Sequence, residues 1–118
     1  MSTVMIVDDS KTSRSTLKNI LVEHGYDVIA EAENGQEGYE KYCELKPDFV
    51  TLDITMPVMD GIETLVKIKE YDANAKVIMV TAAGQKGKML DAIKLGAAEF
   101  VTKPIETNQI INIIESIK

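Results

Sequence analysis

Short apolar runs in this 118-residue sequence are followed by side chains that can hold a metal ion or handle a phosphoryl group. Three carboxylates, one hydroxyl and one amino group stand at these positions: Asp8, Asp9, Asp53, Thr81 and Lys103. Carboxylates without a nearby His or Cys form a hard oxygen cluster, which selects Mg²⁺, with Mn²⁺ as a substitute, over zinc. Mg²⁺ often shares its ligands with a phosphate oxygen, and a carboxylate can itself form an aspartyl-phosphate. The residue types therefore indicate a divalent metal and a phosphoryl group, whose oxygens Thr81 and Lys103 would contact.

Each of these residues also has a purely structural explanation. Paired acids such as Asp8-Asp9 often cap a helix, and Thr81 suits a strand because it is β-branched. The Lys103-Pro104 pair is typical of a turn. A common site is favoured because acids packed together without a ligand would repel one another and destabilise the fold.

Five apolar runs predict the strands that must position these side chains. The predicted strands span residues 4–7, 27–32, 49–53, 77–81 and 99–102. Most are short, β-branched and continuously apolar, which is typical of parallel strands covered on both faces.

The stretches between these runs have the apolar spacing of amphipathic helices. The predicted apolar faces comprise Leu17, Ile20, Leu21 and His24; Tyr39, Tyr42 and Cys43; Ile62, Leu65 and Val66; Met89, Ala92, Ile93, Gly96 and Ala97; and Ile110, Ile113, Ile114 and Ile117. Gly25 is expected to end the first helix, and Asn34-Gly35 and Lys46-Pro47-Asp48 are expected to form turns.

Strands that alternate with helices predict an α/β fold, with a parallel sheet and right-handed crossovers. At this length the favoured arrangement is a flavodoxin-like, doubly wound (βα)5 three-layer sandwich with strand order 2-1-3-4-5. Residues 1–118 would then form a single domain, since the sequence contains no linker or low-complexity segment. Ligands of such sheets bind beyond the carboxyl ends of the strands, near the gap between strands 1 and 3, and the candidate residues should meet there.

Composition narrows the classes of partner and compartment. With 45% apolar and 27% charged residues, the chain can fold around a core of its own. The net charge of −6 and the pI near 4.8 argue against nucleic acid or an anionic membrane as a direct partner. The single cysteine, Cys43, cannot form an internal disulfide and is expected to be a buried or half-buried thiol. No apolar stretch reaches the length of a secretory signal or a membrane span, so we expect a cytoplasmic protein.

Four motifs, in order along the chain, resemble those of the response-regulator receiver family. They are residues 6–10 (IVDDS), 53–61 (DITMPVMDG), 80–82 (VTA) and 102–104 (TKP). The resemblance extends over residues 4–117, and it is closest to the stand-alone chemotaxis regulators of the family.

The resemblance implies that Asp53 is the phosphoacceptor and that Thr81 and Lys103 contact the phosphoryl oxygens. The Lys103-Pro104 bond is similar to one that is cis in the family. Phe100 occupies the position of the family's switch aromatic, whose ring would turn inward when Thr81 moves toward the phosphoryl group. The alternative is that Phe100 is simply a core residue of the fifth strand.

The resemblance also implies a Mg²⁺ site. Asp9 and Asp53 would ligate the metal directly, Asp8 would act through water, and the backbone carbonyl of Thr55 would complete the protein's share. Gly61 would shape the loop after the third strand by permitting a conformation that strains other residues.

Two positions, Thr55 and Ala83, flank the path of the hydrolytic water in the family. Ala83 has no polar group with which to orient that water. Dephosphorylation would therefore depend on Thr55 alone or on a separate phosphatase.

These features predict a monomeric, phosphorylation-activated switch of a two-component system rather than an enzyme that turns over a separate substrate. A histidine kinase would phosphorylate it, and a flagellar motor switch protein, or another protein effector, would bind the activated form. The alternative is a phosphorelay intermediate that passes its phosphoryl group to a His-containing phosphotransfer protein.

Ile111 is an apolar residue beside the predicted core stripe of the last helix. It could pack at the edge of the core against the fifth strand. It could instead join Phe100 and Lys86 in a surface that phosphorylation reshapes and that a partner helix covers.

Two other classes of protein fit less well. A flavin-carrying electron-transfer protein would need a Ser/Thr/Gly-rich phosphate loop where this chain has Asp8 and Asp9. A Mg²⁺-dependent phosphatase would need a second acid two residues after its nucleophile, where this chain has Thr55.

Overall fold

The computed structural model describes residues 2–82 and 84–117, in which strands and helices alternate. The elements are β1 (Thr3–Val7), α1 (Lys11–Glu23), β2 (Asp27–Ala32), α2 (Gly35–Leu45), β3 (Phe49–Asp53), α3 (Gly61–Tyr71), β4 (Val77–Thr81), α4 (Lys86–Lys94), β5 (Glu99–Thr102) and α5 (Thr107–Ile117). The strands form one parallel sheet in the order β2-β1-β3-β4-β5, so the predicted α/β class and strand order are confirmed. The strand bounds agree with prediction, except that β1 begins one residue earlier, at Thr3, which pairs with Asp27.

Helices cover both faces of the sheet, and each face has its own apolar core. The core beneath α2, α3 and α4 includes Met5, Leu52 and Leu65. The core beneath α1 and α5 includes Ile6 and Leu17. Successive residues of a strand point to opposite faces, so Met5 and Ile6 enter different cores. All residues of β3 and β4 are buried, which explains why their sequences are mostly apolar and do not alternate with polar residues.

Three residues predicted on apolar helix faces, His24, Ile93 and Gly96, are exposed instead, and Gly96 lies beyond the end of α4. His24 is the C-cap of α1, where its Nδ1 lies 2.8 Å from the carbonyl oxygen of Ile20, and Gly25 follows with a φ of 86°. The chain is therefore already leaving the helix at His24, and the side chain turns back onto the helix end. Ile93 of α4 is 39% exposed because this short helix buries only a narrow strip around Met89.

The Asn34-Gly35 pair, predicted as a turn, begins a helix. Asn34 is the N-cap of α2, and its side-chain oxygen accepts a hydrogen bond from the Glu37 N–H at 2.9 Å. A Cβ on Gly35 would lie 2.0 Å from Oγ1 of Thr64, so only glycine allows α2 to approach α3 this closely. Asn and Gly favour both turns and helix starts, and the sequence pattern alone did not separate the two.

The remaining expectations concern the thiol and the helix lengths. Cys43 lies on α2 and is half-buried, as predicted. Within residues 2–82 and 84–117, no helix has the length and apolar character that crossing a membrane requires. Ala83, considered above for its missing polar group, lies outside the described residues.

Candidate functional site

The pairing of β1 with β3 brings the predicted acids together. Val7 pairs with Leu52, so the next residues along, Asp8 and Asp53, lie beside each other at the carboxyl edge of the sheet. One carboxylate oxygen from each of Asp8, Asp9 and Asp53 lies within 4.8 Å of the others. Asp8 and Asp53 are buried, whereas Asp9 is exposed. An oxygen cluster of this size, open on the Asp9 side, fits a hard divalent cation.

Lys103 provides the cation that faces this acid cluster. Its Nζ donates a hydrogen bond to Oδ2 of Asp8 at 3.0 Å and lies 3.7 Å from Oδ2 of Asp53. Burial by itself lowers the pKa of Lys103, but the bond to Asp8 and the charge of Asp53 outweigh it and raise the pKa. Lys103 is therefore a fixed positive charge, and its peptide bond to Pro104 is cis, as the family resemblance implied.

Asp53 is an unusually basic carboxylate. Burial and the neighbouring charge of Asp8 raise its pKa to about 6, although Lys103 acts in the opposite direction. In the cluster, three carboxylates face the one ammonium group of Lys103, which leaves an excess of two negative charges. A divalent cation carries the charge that would balance this excess, and a basic carboxylate is a better nucleophile than an ordinary one.

Asp8 is fixed by a residue that sequence reasoning missed. Arg14 of α1 is buried, and its Nη1 donates to the backbone oxygen of Asp8 at 2.7 Å. Glu31 and Glu33 lie 3.3 Å and 3.6 Å from other nitrogens of the guanidinium group, so the buried charge is paired. Ser10, the N-cap of α1, holds the Asp8 side chain through its N–H at 2.9 Å from Oδ1. These contacts make Asp8 the most constrained member of the acid cluster.

Thr81 lies at the end of β4, as predicted, but its hydroxyl faces a residue that was not predicted. It is fully buried and donates to Oε1 of Gln85 at 2.6 Å. Nε2 of Gln85 donates in turn to Oγ1 of Thr55 at 3.0 Å. The Thr55 side chain is exposed and stands two residues after Asp53. Nothing in the sequence spacing indicated this connection between two loops.

The structure corrects the explanation for Gly61. Its φ is not positive, and the non-glycine residue with positive φ in this loop is Val58, at 70° and 81% exposed. Gly61 is required for a different reason: a Cβ there would lie 2.1 Å from the backbone oxygen of Asp53. The start of α3 therefore packs directly against the strand that carries Asp53.

Phe100 and Ile111 lie on opposite faces of the sheet. Phe100 is half-buried against the core beneath α2, α3 and α4. Ile111 is half-buried against the core beneath α1 and α5. Lys86 is exposed at the start of α4. This placement agrees with core-edge packing of Ile111 rather than with a surface that it shares with Phe100.

Comparisons with known proteins agree with the geometry. Residues 4–115 match the family model described as the response regulator receiver domain. The chain is 50% identical to the chemotaxis protein CheY of Listeria monocytogenes, over 98% of this chain and 97% of that protein. It is 49% identical to CheY of Bacillus subtilis, over 94% and 92% of the two chains.

Solved structures extend the likeness to the fold. A chain in the crystal structure of the CheX–CheY–BeF3–Mg²⁺ complex from Borrelia burgdorferi superposes with a TM-score of 0.95 at 39% identity, covering 98% of this chain and 88% of that one. A response regulator receiver domain protein from Clostridium thermocellum superposes with a TM-score of 0.93 at 27% identity, covering 99% and 94%. The chain belongs to the response regulator receiver domain family.

Proposed function

We propose that this chain is a phosphorylation-activated signalling switch in which Asp53 accepts a phosphoryl group from a histidine kinase. The observation that carries the proposal is the placement of the Lys103 ammonium against Asp8 and Asp53 within a cluster of three acids. An Asp53 carboxylate oxygen forms the new P–O bond as the P–N bond to the donor imidazole breaks. Lys103 then contacts a phosphoryl oxygen, and Thr81 donates its hydroxyl hydrogen to another.

Mg²⁺, or Mn²⁺ in its place, is the cofactor that the acid cluster fits. Asp9 and Asp53 would bind it directly, Asp8 through water, and Thr55 through its backbone carbonyl. When bound, the metal neutralises charge on the transferring phosphoryl group. Arg14 and Lys103 hold Asp8 in place through contacts that the protein makes without the metal.

The chain is 50% and 49% identical to the CheY proteins of Listeria and Bacillus over nearly its full length, which supports chemotaxis as the pathway. We further propose that residues 1–118 act as one receiver domain and as a monomer, which signals by binding a flagellar motor switch protein or another effector. The protein would not turn over a separate substrate, and it would support only its own phosphorylation and dephosphorylation. The relative from Borrelia is in a complex with CheX, BeF3 and Mg²⁺, which supports a protein partner that binds the activated form. A separate phosphatase is proposed as a further partner.

Intact-mass spectrometry after incubation with acetyl phosphate and Mg²⁺ tests the phosphoacceptor. We expect one phosphoryl adduct on the parent chain and none on Asp53→Asn, since an amide cannot act as this nucleophile. Asp60→Asn is the matched control, because Asp60 caps α3 and Asn can make the same cap. Labelling of Asp53→Asn at the level of the parent would refute the assignment.

Thermal unfolding with and without Mg²⁺ tests the metal site. We expect millimolar Mg²⁺ to raise the melting temperature of the parent, because the metal binds the assembled acids and hardly the unfolded chain. Asp9→Ala should melt higher than the metal-free parent and lose the response to Mg²⁺, whereas Asp91→Ala, which removes an exposed acid of α4, should keep it. A parent midpoint that Mg²⁺ leaves unmoved would refute the metal site.

The fate of the phosphoryl group distinguishes a phosphorelay intermediate from an effector switch. Beryllofluoride-activated protein should retain a motor switch protein on a column, and the untreated protein should not. A phosphorelay intermediate would instead transfer label from Asp53 to a His-containing phosphotransfer protein within minutes of mixing.

A further inference from the structure

A chain of hydrogen bonds links the two loops that flank Asp53. The buried hydroxyl of Thr81 donates to Oε1 of Gln85, and Nε2 of Gln85 donates to Oγ1 of Thr55. We call these three residues the Gln85 clasp. It joins the loop after β4 to the loop after β3 through side chains.

The clasp does not cap the N-terminus of α4. Gln85 is the N-cap residue of that helix, a position where a side chain normally accepts a hydrogen bond from the helix N-terminus. Its side chain makes no such bond and instead reaches across to Thr55. Helix stability therefore does not explain why the Gln85 side chain takes this orientation.

The clasp competes with the role proposed for Thr81. A hydroxyl group has a single hydrogen to donate. In the clasp, the nearer acceptor of that hydrogen is Gln85 Oε1 at 2.6 Å, and the backbone oxygen of Ala82 is a second acceptor at 3.3 Å. A phosphoryl oxygen on Asp53 is also an acceptor, so Thr81 cannot donate to both at once. Activation must therefore break the bond between Thr81 and Gln85.

We propose that Gln85 is a positioning residue that holds Thr81 in its resting orientation and so opposes activation of the switch. The inference rests on the proposed function of Asp53. Breaking the clasp releases Thr81 toward the phosphoryl group. It also frees Gln85, the residue immediately before α4, from Thr55. The free energy needed to break the clasp is therefore subtracted from the free energy that the phosphoryl group gains by binding Thr81.

Calorimetric titration with beryllofluoride, at saturating Mg²⁺, measures this opposition directly. Gln85→Met keeps the length of the side chain and removes both hydrogen bonds, so we expect roughly 2- to 10-fold tighter binding than in the parent. Thr55→Val leaves the bond between Gln85 and Thr81 and should tighten binding less. Gln109→Met makes the same exchange at an exposed position of α5 and should bind as the parent does.

The outcomes separate the clasp from a structural role. Unchanged or weaker beryllofluoride binding by Gln85→Met would overturn the inference, and a lowered melting temperature with unchanged binding would assign Gln85 to structure alone. If the parent itself bound no beryllofluoride while folding normally, the proposed function would fail first, and the inference with it.

Discussion

The two loops that flank Asp53 are held in different ways. The loop after β3 (residues 54–60) is anchored by its own buried side chains and by hydrogen bonds to the first residues of α2 and α3. The loop after β4, described at residues 82, 84 and 85, is held mainly by the side chain of Gln85. Both loops border the same acid cluster, so the contrast shows which side of the site is built to stay in place and which can move.

The loop after β3 is fixed by burial and backbone contacts. Ile54, Met56 and Met59 are all buried. The Gly61 N–H donates to the oxygen of Ile54 at 2.7 Å, and the Gly35 N–H donates to the oxygen of Met59 at 3.1 Å. The buried residues of this loop are therefore tied to the starts of α2 and α3.

The described residues of the loop after β4 have little of this support. Gly84 has a φ of 94°, and a Cβ built on it would meet no atom within 4 Å. Gly87, in the first turn of α4, is equally open. Exposed backbone with few packed neighbours opens at low free-energy cost. A change at Asp53 should therefore be transmitted toward α4 and not toward α2.

The largest effect should come from crowding the fixed loop. Gly61→Ala places a Cβ 2.1 Å from the backbone oxygen of Asp53, so the strand or the helix must shift. We expect a loss of about 3 kcal/mol in the free energy of unfolding, measured by urea titration. A loss below about 1 kcal/mol would show that this loop yields easily, which would remove the contrast between the loops.

The next largest effect should come from removing the charge of Asp53, the strand residue that directly precedes the loop after β3. With metal removed by EDTA, Asp53→Asn should raise the free energy of unfolding at pH 7 by up to about 3 kcal/mol, because the pKa of Asp53 is raised to about 6. The folded-state pKa exceeds the unfolded value, so the parent is destabilised by ionised Asp53 above pH 6. As the pH falls from 6 to 4, the parent should gain stability and the difference should close.

Asp91→Asn, at an exposed position of α4, is the control for this titration. Its free energy of unfolding should differ little from that of the parent at either pH. A difference between parent and Asp53→Asn that stays constant from pH 4 to 7 would show that the strain at Asp53 is not electrostatic.

A smaller effect should separate the two helix starts. Asp60 caps α3, with Oδ1 accepting from the Glu63 N–H at 2.9 Å, so Asp60→Ala should cost about 1 kcal/mol of unfolding free energy. Gln85 makes no capping bond, so Gln85→Ala should cost less than Asp60→Ala in the same urea titration. Equal losses would mean that both helix starts are held alike.

The smallest effect should be a gain. Gly87→Ala adds a methyl group in open space on a helix and reduces the freedom of the unfolded chain, so we expect about 0.5 kcal/mol of added stability. A loss of stability, measured by thermal unfolding, would show that the start of α4 is packed more tightly than the structure indicates.

The strands could be predicted well from the sequence because buried parallel strands have nearly continuous apolar sequences. The sequence also predicted that Asp8 and Asp53 would meet, since both follow such runs at one edge of the sheet. The acid cluster with Lys103 required no information beyond the strand order.

The supporting side chains could not be predicted in the same way. Arg14 reaches the backbone of Asp8, and Gln85 reaches Thr55 thirty residues away. Such contacts depend on where long side chains point after folding, and neither residue type has a spacing that indicates it. Gly61 was singled out for the wrong reason, because close approach and positive φ both favour glycine.

The β1–β3 register places the two buried acids at the very end of the strand pairing. The pairs run from Val4 with Phe49 to Val7 with Leu52, so Asp8 and Asp53 follow the last rung of this ladder. We expect their repulsion to act fully only when this end of the pairing closes, late on the path to the native state. Neutralising Asp53 should therefore slow unfolding in EDTA and leave the refolding rate nearly unchanged. On this expectation, the metal-free site would shorten the lifetime of the folded protein without hindering its formation.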